Sequence, residues 1–324
     1  MSPSFLSPHP ASAKLTETMP ASRSGLSIHS KRFWCLLASI LLIIGIALGV
    51  GLGVGLSNNR NSNDSGSDSS QPSTPFPPPP GNNTSGTFWR PTAGMAWEIV
   101  LEYALNDTSA NVPVYDIDLF TNPASTMTSL HAQNRGVICY FSAGSYEDFR
   151  PDSSKFKKSD YANALDGWPG EYWLNTNSSN VRSIMTSRLD LAVSKGCDGV
   201  DPDNVDGYDN DSGFSLTPAD AENYMSFLAS EAHSRRLAIG LKNAGKIVNA
   251  TLDMMQWQVN EQCVQYQECD LFRPFLDAGK PVFHIEYPDE TPRVSTASIC
   301  GDGEAQGFST VLKHMNLDDW VEFC

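Results

Sequence analysis

Positive charge is scarce in this 324-residue chain, with 22 Lys and Arg against 37 Asp and Glu and a formal net charge of −15. Only five of the bases and three of the acids precede residue 88, so the remainder carries −17. Such a segment repels nucleic acid and anionic lipid and attracts a polycation. Histidine is also sparse: of six in the chain, His131, His233, His284 and His314 fall in the C-terminal region without metal-ligand spacing. There is no HExxH or CxxC, so no metal is expected and a metal-dependent esterase or deacetylase lacks its ligands. The absence of a P-loop, a dinucleotide-binding glycine fingerprint and a GxSxG elbow removes nucleotide cofactors and serine-hydrolase chemistry. No repeat of solenoid period occurs. DPDNVDGYDND is acidic, but in the register of a calcium loop Pro202 takes the place of the first ligand and no Glu stands twelfth.

Apolar residues, by contrast, are concentrated early. Residues 33–56 run for 24 positions without a charge, more than the ~20 needed to cross a bilayer. A 32-residue leader is long for a cleaved signal, and no small-residue cleavage site follows, so the run is expected to be an uncleaved signal anchor. Lys31 and Arg32 at its N-terminal edge place residues 1–32 in the cytoplasm and the rest outside, a single-pass type II protein of the cell membrane. Residues 57–87 are Ser, Asn, Pro, Gly and Thr almost throughout and are expected to form a disordered stalk. An exterior location makes disulfides possible among Cys139, Cys197, Cys263, Cys269, Cys300 and Cys324. The expected pairs are Cys263–Cys269 and Cys300–Cys324, with Cys139 and Cys197 as buried thiols in strands. Sequons at Asn63, Asn82, Asn83, Asn106, Asn177, Asn210 and Asn249 agree with a secretory route.

From residue 88 to 324 short apolar runs alternate with helical patterns, the mark of repeated βα units. Strands are predicted at 97–101, 112–116, 136–141, 199–203, 237–241, 256–260, 281–285 and 307–311. Helices are clearest at 181–195, 218–235 and 271–278, the second opened by Thr217 and Pro218 as cap and first-turn residue. Eight units in this length predict a (β/α)8 TIM barrel, and the competing open doubly wound sheet would want a phosphate loop that the first strand lacks.

Barrel active sites sit at the C-terminal ends of strands. Polar residues stand there at strand after strand: Asp116 and Asp118; Tyr140, Glu147 and Arg150; Asp201, Asp203 and Asp206; Lys242 and Asn243; Asn260 and Glu261; Glu286 and Tyr287. Any one of these acids alone is as well explained by helix capping or a solvated loop. Glycoside cleavage needs two facing carboxyls, and Asp203 and Glu261, on the fourth and sixth strands, can supply them. Apolar neighbours of Glu261 (Trp257, Cys263, Tyr266) are expected to raise its pKa, and Lys242 or Asn243 to keep Asp203 ionised. Trp89, Trp168, Trp173 and Trp257 are candidates to stack on sugar faces, although tryptophan is more often core.

The stretches CYFSAGSYEDFRPD, WPGEYWLN, KGCDGVDPDNVDGYDN, GLKN, NEQCVQYQEC and IEYPDE resemble glycoside hydrolase family 114, the endo-α-1,4-polygalactosaminidases. The resemblance implies a (β/α)8 fold, hydrolysis within chains of α-1,4-linked galactosamine, and Asp203 and Glu261 as the acids that do the chemistry, expected with retention. It suggests substrate contacts from Asp116, Asp118, Tyr140, Glu147, Asp201, Lys242 and Glu286, to which the strand-end position adds Asn243. The expected partner is a cationic galactosamine-containing polysaccharide, with no cofactor, no nucleic acid and a monomeric state. The alternative is a non-catalytic cell-surface protein that holds such a polysaccharide.

Overall fold

The computed structural model describes residues 88–324. Their strands are, in chain order, β1 (Trp97–Val100), β2 (Val114–Asp118), β3 (Gly136–Ser142), β4 (Ser145–Glu147), β5 (Tyr161–Ala164), β6 (Glu171–Leu174), β7 (Gly199–Asp203), β8 (Ala238–Lys242), β9 (Trp257–Glu261), β10 (Val282–Glu286), β11 (Ser309–Leu312) and β12 (Glu322–Phe323). Nine of them form one curled sheet in the order β1-β2-β3-β7-β8-β9-β10-β11-β12. Every neighbouring pair from β1 to β11 is parallel, and β12 alone runs antiparallel. The two ends of the curl meet without a strand ladder: the Trp97 indole donates to the Ser309 carbonyl at 2.8 Å. The architecture is that of a TIM-barrel-like fold, with all eight expected strands present. The predicted transmembrane run and stalk lie outside the described residues, and among those described no helix is long and apolar enough to cross a membrane.

Strands buried on both faces sort their side chains by parity. Trp97, Ile99, Val114, Ile138, Trp257, Val259, Phe283 and Ile285 pack together inside the curl. The alternate residues, among them Tyr115, Ile117, Val137 and Ile239, meet the surrounding helices through Met185, Leu189, Met225 and Leu228. Trp257 fills the lower barrel because its neighbours leave room. A Cβ on Gly199 or Gly240 would lie 2.5 or 2.0 Å from its indole.

The helix Ser179–Lys195 starts where the Ser178 hydroxyl accepts from the amides of Asn180 and Val181, and it stops at Gly196 with φ 88°. The helix Pro218–Ser234 carries the expected start, a Thr217–Asp220 capping box with proline in the first turn. The predicted helix 271–278 is shorter, Arg273–Asp277.

Three expectations need correction. The second strand begins at Val114, not 112, because Pro113 has no N–H for the ladder. Consequently Asp116 lies within the strand and Asp118 at its end. Residues 145–174, where no strand is predicted, contain a second antiparallel sheet of order β4-β6-β5. Cys139 and Cys197 are not thiols but a disulfide, formed because that insertion leaves β3 and β7 adjacent with the two Cα atoms 6.0 Å apart. Cys263–Cys269 and Cys300–Cys324 pair as expected.

Candidate active site

At the C-terminal ends of the strands the chain surrounds a cleft of about 1350 Å³. Its walls hold eleven Asp and Glu against two bases, Arg150 and Lys242. The odd-numbered residues of β7, β9 and β10 point into the barrel, so Asp203 and Glu261 rise from its floor together with Tyr287 just past β10.

Lys242, at the end of β8 between β7 and β9, is the centre of the arrangement. Its Nζ is 3.4 Å from Asp203 Oδ2, 3.4 Å from Glu261 Oε2 and 3.9 Å from Asp201 Oδ2, with the side chain 1% exposed. Burial alone would discharge it, but Asp203, Glu261 and Asp201 outweigh that and hold it above the ordinary lysine value. Asp203 Oδ2 also accepts from the Tyr140 hydroxyl at 3.0 Å, and Oδ1 from the Asn204 amide at 2.7 Å. Glu261 Oε2 accepts from Asn243 Nδ2 at 3.0 Å, and Oε1 from the Tyr287 hydroxyl at 2.5 Å. The Asn243 side chain therefore serves Glu261, and Lys242 is the residue directed at Asp203.

The pKa expected for Glu261 is overturned. Burial does push it up, but Lys242, Tyr287 and Asn243 together bring it below the usual glutamate value. Of the neighbours that motivated the expectation, Trp257 lies deeper in the barrel, Cys263 is tied up with Cys269, and Tyr266 lines the cleft but is itself exposed.

Backbone strain is concentrated around this pair. Asn204, Asn243, Ala244 and Gln262, each directly following β7, β8 or β9, have φ between 45° and 64°. Asn tolerates that region, while Ala and Gln adopt it only at a cost that the surroundings must offset. Gly144 closes the arrangement from β3. Its amide and that of Ala143 donate to the Asp203 carbonyl at 2.9 and 2.8 Å, and a Cβ there would stand 1.6 Å from the Asn204 oxygen.

The remaining expected contacts divide into two groups. Asp118, Tyr140, Glu147, Lys242 and Asn243 line the cleft. Asp118 and Glu147 are both occupied by Arg150, at 2.7 Å each. Asp116 and Asp201 are wholly buried beneath the cleft, and burial first of all raises both carboxyls, Asp201 to about 7. Glu286 faces away from the cleft, where it accepts from the Val264 amide at 2.7 Å and contacts His284 Nε2 at 2.9 Å. Its parity is the reason: Phe283 and Ile285 point into the barrel, so Tyr287 follows them inward and Glu286 cannot. Glu171 was missed within WPGEYWLN. It lines the cleft from β6, accepts from the Ser145 hydroxyl at 2.8 Å, and has its carboxyl raised by burial. An acid standing between Trp168 and the aromatic pair Tyr172 and Trp173 was the available signal. Of the tryptophans, Trp168 and Trp173 line the cleft, while Trp89 packs on Trp257 below the barrel.

Two facing carboxyls are what glycoside cleavage requires, and the comparison with known proteins points to the same class of enzyme. The model of glycoside-hydrolase family GH114 matches residues 79–324. The chain belongs to this family. It is therefore a glycoside hydrolase. A crystal structure of Aspergillus fumigatus Ega3 in complex with galactosamine is similar at 55% identity and a TM-score of 0.71, covering 75% of this chain and all of that one. The glycoside hydrolase domain of PelA from Pseudomonas aeruginosa shares the fold at 12% identity and a TM-score of 0.55, over 70% of this chain and 98% of that one. An uncharacterized protein of Deinococcus radiodurans is 24% identical over 207 residues, 58% of this chain and 67% of the relative.

Proposed function

We propose that this protein hydrolyses α-1,4-linked galactosamine polymers internally, with retention, using Asp203 as nucleophile and Glu261 as acid and then base. The reading rests on one observation: two carboxyls share a single ammonium on the floor of a cleft whose walls hold eleven acids and two bases. A polymer with free amines is cationic, so such walls draw it in and hold its ammonium groups. The similarity to Ega3, crystallised with galactosamine, supports the same substrate class.

The roles follow from which oxygens can accept a proton. Both Asp203 oxygens face donors that cannot turn away, the Asn204 amide on Oδ1 and the Lys242 ammonium on Oδ2. Glu261 Oε2 is likewise held by Lys242 and Asn243, but Oε1 meets only the Tyr287 hydroxyl, which can rotate and accept. Glu261 can thus take up a proton at Oε1, whereas a proton on Asp203 would have to displace a fixed donor. As the Asp203 carboxylate bonds to the anomeric carbon, that proton passes to the leaving glycosidic oxygen; water then gives a proton back to Glu261 and its oxygen displaces Asp203. With each carboxyl oxygen 3.4 Å from one Nζ, the two are at most 6.8 Å apart. That bound includes the ~5–5.5 Å retaining spacing and leaves out most of the ~6.5–9.5 Å inverting range.

The test is hydrolysis of defined galactosamine oligomers by the wild type, D203N and E261Q, with the anomeric configuration read by NMR. Retained configuration, silent variants and slower turnover with added salt or full N-acetylation are expected. Wild-type turnover by either variant, or inverted product, refutes the assignment. A non-catalytic polysaccharide-binding protein would release no reducing ends at all. We also infer that residues 33–56 anchor the enzyme with its barrel outside the cell, a reading supported by three disulfides, which form and persist in oxidising compartments.

A further inference from the structure

Two carboxyl groups under the reacting pair have no part in the chemistry above. Asp116 sits within β2 and Asp201 on β7, one inward step below Asp203. Both are 0% exposed and neither reaches the cleft, so no sugar can touch them. Their side chains are hydrogen-bond neighbours, yet as carboxylates none of their four oxygens finds a donor among the described residues. The charged groups around them are Lys242, whose Nζ is 3.9 Å from Asp201 Oδ2, and the carboxylates of Asp203 and Glu261.

Two ionised carboxylates in a dry interior repel each other and leave every lone pair unsatisfied. One proton removes both penalties, because O–H···O⁻ is among the strongest hydrogen bonds available to side chains. We propose that Asp116 and Asp201 share a single proton and act as positioning residues, their one net negative charge anchoring the Lys242 ammonium from below, midway between Asp203 and Glu261. Without that anchor the ammonium would be drawn wholly to the upper pair. Glu261 would then be held ionised more firmly and would serve less well as an acid. The kinetic part of this inference rests on the proposed roles of Asp203 and Glu261, whereas the proton itself does not.

The experiment uses the full-length protein as wild type, D116N, D201N and the double variant D116N/D201N. Infrared spectroscopy at neutral pH should show a protonated-carboxyl stretch in the wild type that disappears in either single variant. There the asparagine amide supplies the donor and the remaining aspartate is ionised. Because the net charge is kept, each single variant should fold, and the alkaline limb of its kcat/KM should move far less than that of the double variant. The double variant has no charge left to anchor Lys242. Its alkaline limb should move to lower pH, and kcat should fall on the order of tenfold, as a one-unit loss in acid pKa implies.

A carboxyl stretch unchanged in D116N and D201N overturns the shared proton. So does failure of both single variants to fold, since an amide can replace the donor. A rise in KM at constant kcat in D116N would instead make Asp116 a substrate contact and overturn the positioning role. If no galactosamine oligomer is cleaved by any form, the functional reading fails, and the infrared result still decides the proton.

Discussion

Replacing Lys242 with methionine isolates the charge at the centre of the site while keeping most of the stem. At 3.4 Å and an effective dielectric of 20, each contact with Asp203 and Glu261 corresponds to about 5 kcal/mol of gross attraction. Desolvation offsets much of that, and removing one partner of a buried ion pair costs about 3–5 kcal/mol net. For a barrel of this size the melting temperature of K242M should fall by about 6–20 °C. The pH dependence has a definite sign. The folded pKa of Glu261 lies below its ordinary 4.5, so its contribution is complete above 4.5 and is lost as pH falls through the lower folded value. The folded Lys242 pKa lies above 10.5, so the cation contributes fully at every pH below that. The gap between wild type and K242M is therefore widest at neutral pH and narrows in acid, where the stranded carboxylates take up protons. Both limbs of the kcat/KM profile should move upward by about 1–3 pH units, the range for loss of an opposite charge at this distance. Thermal melts at pH 4 and 7, with pH–rate profiles on a galactosamine oligomer, test this directly. A pH-independent stability loss with unmoved limbs would refute the role given to Lys242.

Two further substitutions address the scaffold. Gly144→Ala places a methyl group 1.6 Å from the Asn204 carbonyl, which must move and take Asp203 with it. A displacement near 1 Å lowers kcat by about 100-fold, and single-turnover rates beside a melting curve will separate this from unfolding. Removing the Cys139–Cys197 disulfide frees a 58-residue loop, worth about 4 kcal/mol by chain entropy. The six-residue Cys263–Cys269 loop is worth only about 2 kcal/mol, so denaturant midpoints of the alanine pairs should fall in that order.

The periodicity of apolar runs located all eight barrel strands, because a parallel strand covered on both faces must be apolar along its length whatever its partners. It could not locate the small second sheet. The strands β4 and β5 are short, β5 is half exposed, and their pairing depends on β6, which lies between them in space but last in sequence. The Cys139–Cys197 bond escaped for a different reason: the predicted barrel already made 136–141 and 199–203 neighbours, but Cys197 lies in the turn before β7, and its reach to Cys139 depends on how that turn leaves Gly196. The Glu261 pKa was misjudged for a related reason: the residues next to it in sequence are not those that touch it, and its donors Lys242, Asn243 and Tyr287 come from neighbouring strand ends.

Depth along a strand explains why some strand-end acids reach the cleft and others do not. Inward-facing residues recur every second position, a rise of about 6.6 Å. Asp118 and Asp203 consequently open onto the cleft, while Asp116 and Asp201, two residues earlier on the same strands, lie a full step beneath it. The paired acids of YDID and DPD thus form two tiers, and only the upper one lines the cleft. The lower tier would be an electrostatic liability if both of its acids were ionised. A shared proton removes that liability and leaves one negative charge under Lys242, where it opposes the pull of the upper carboxylates on the ammonium.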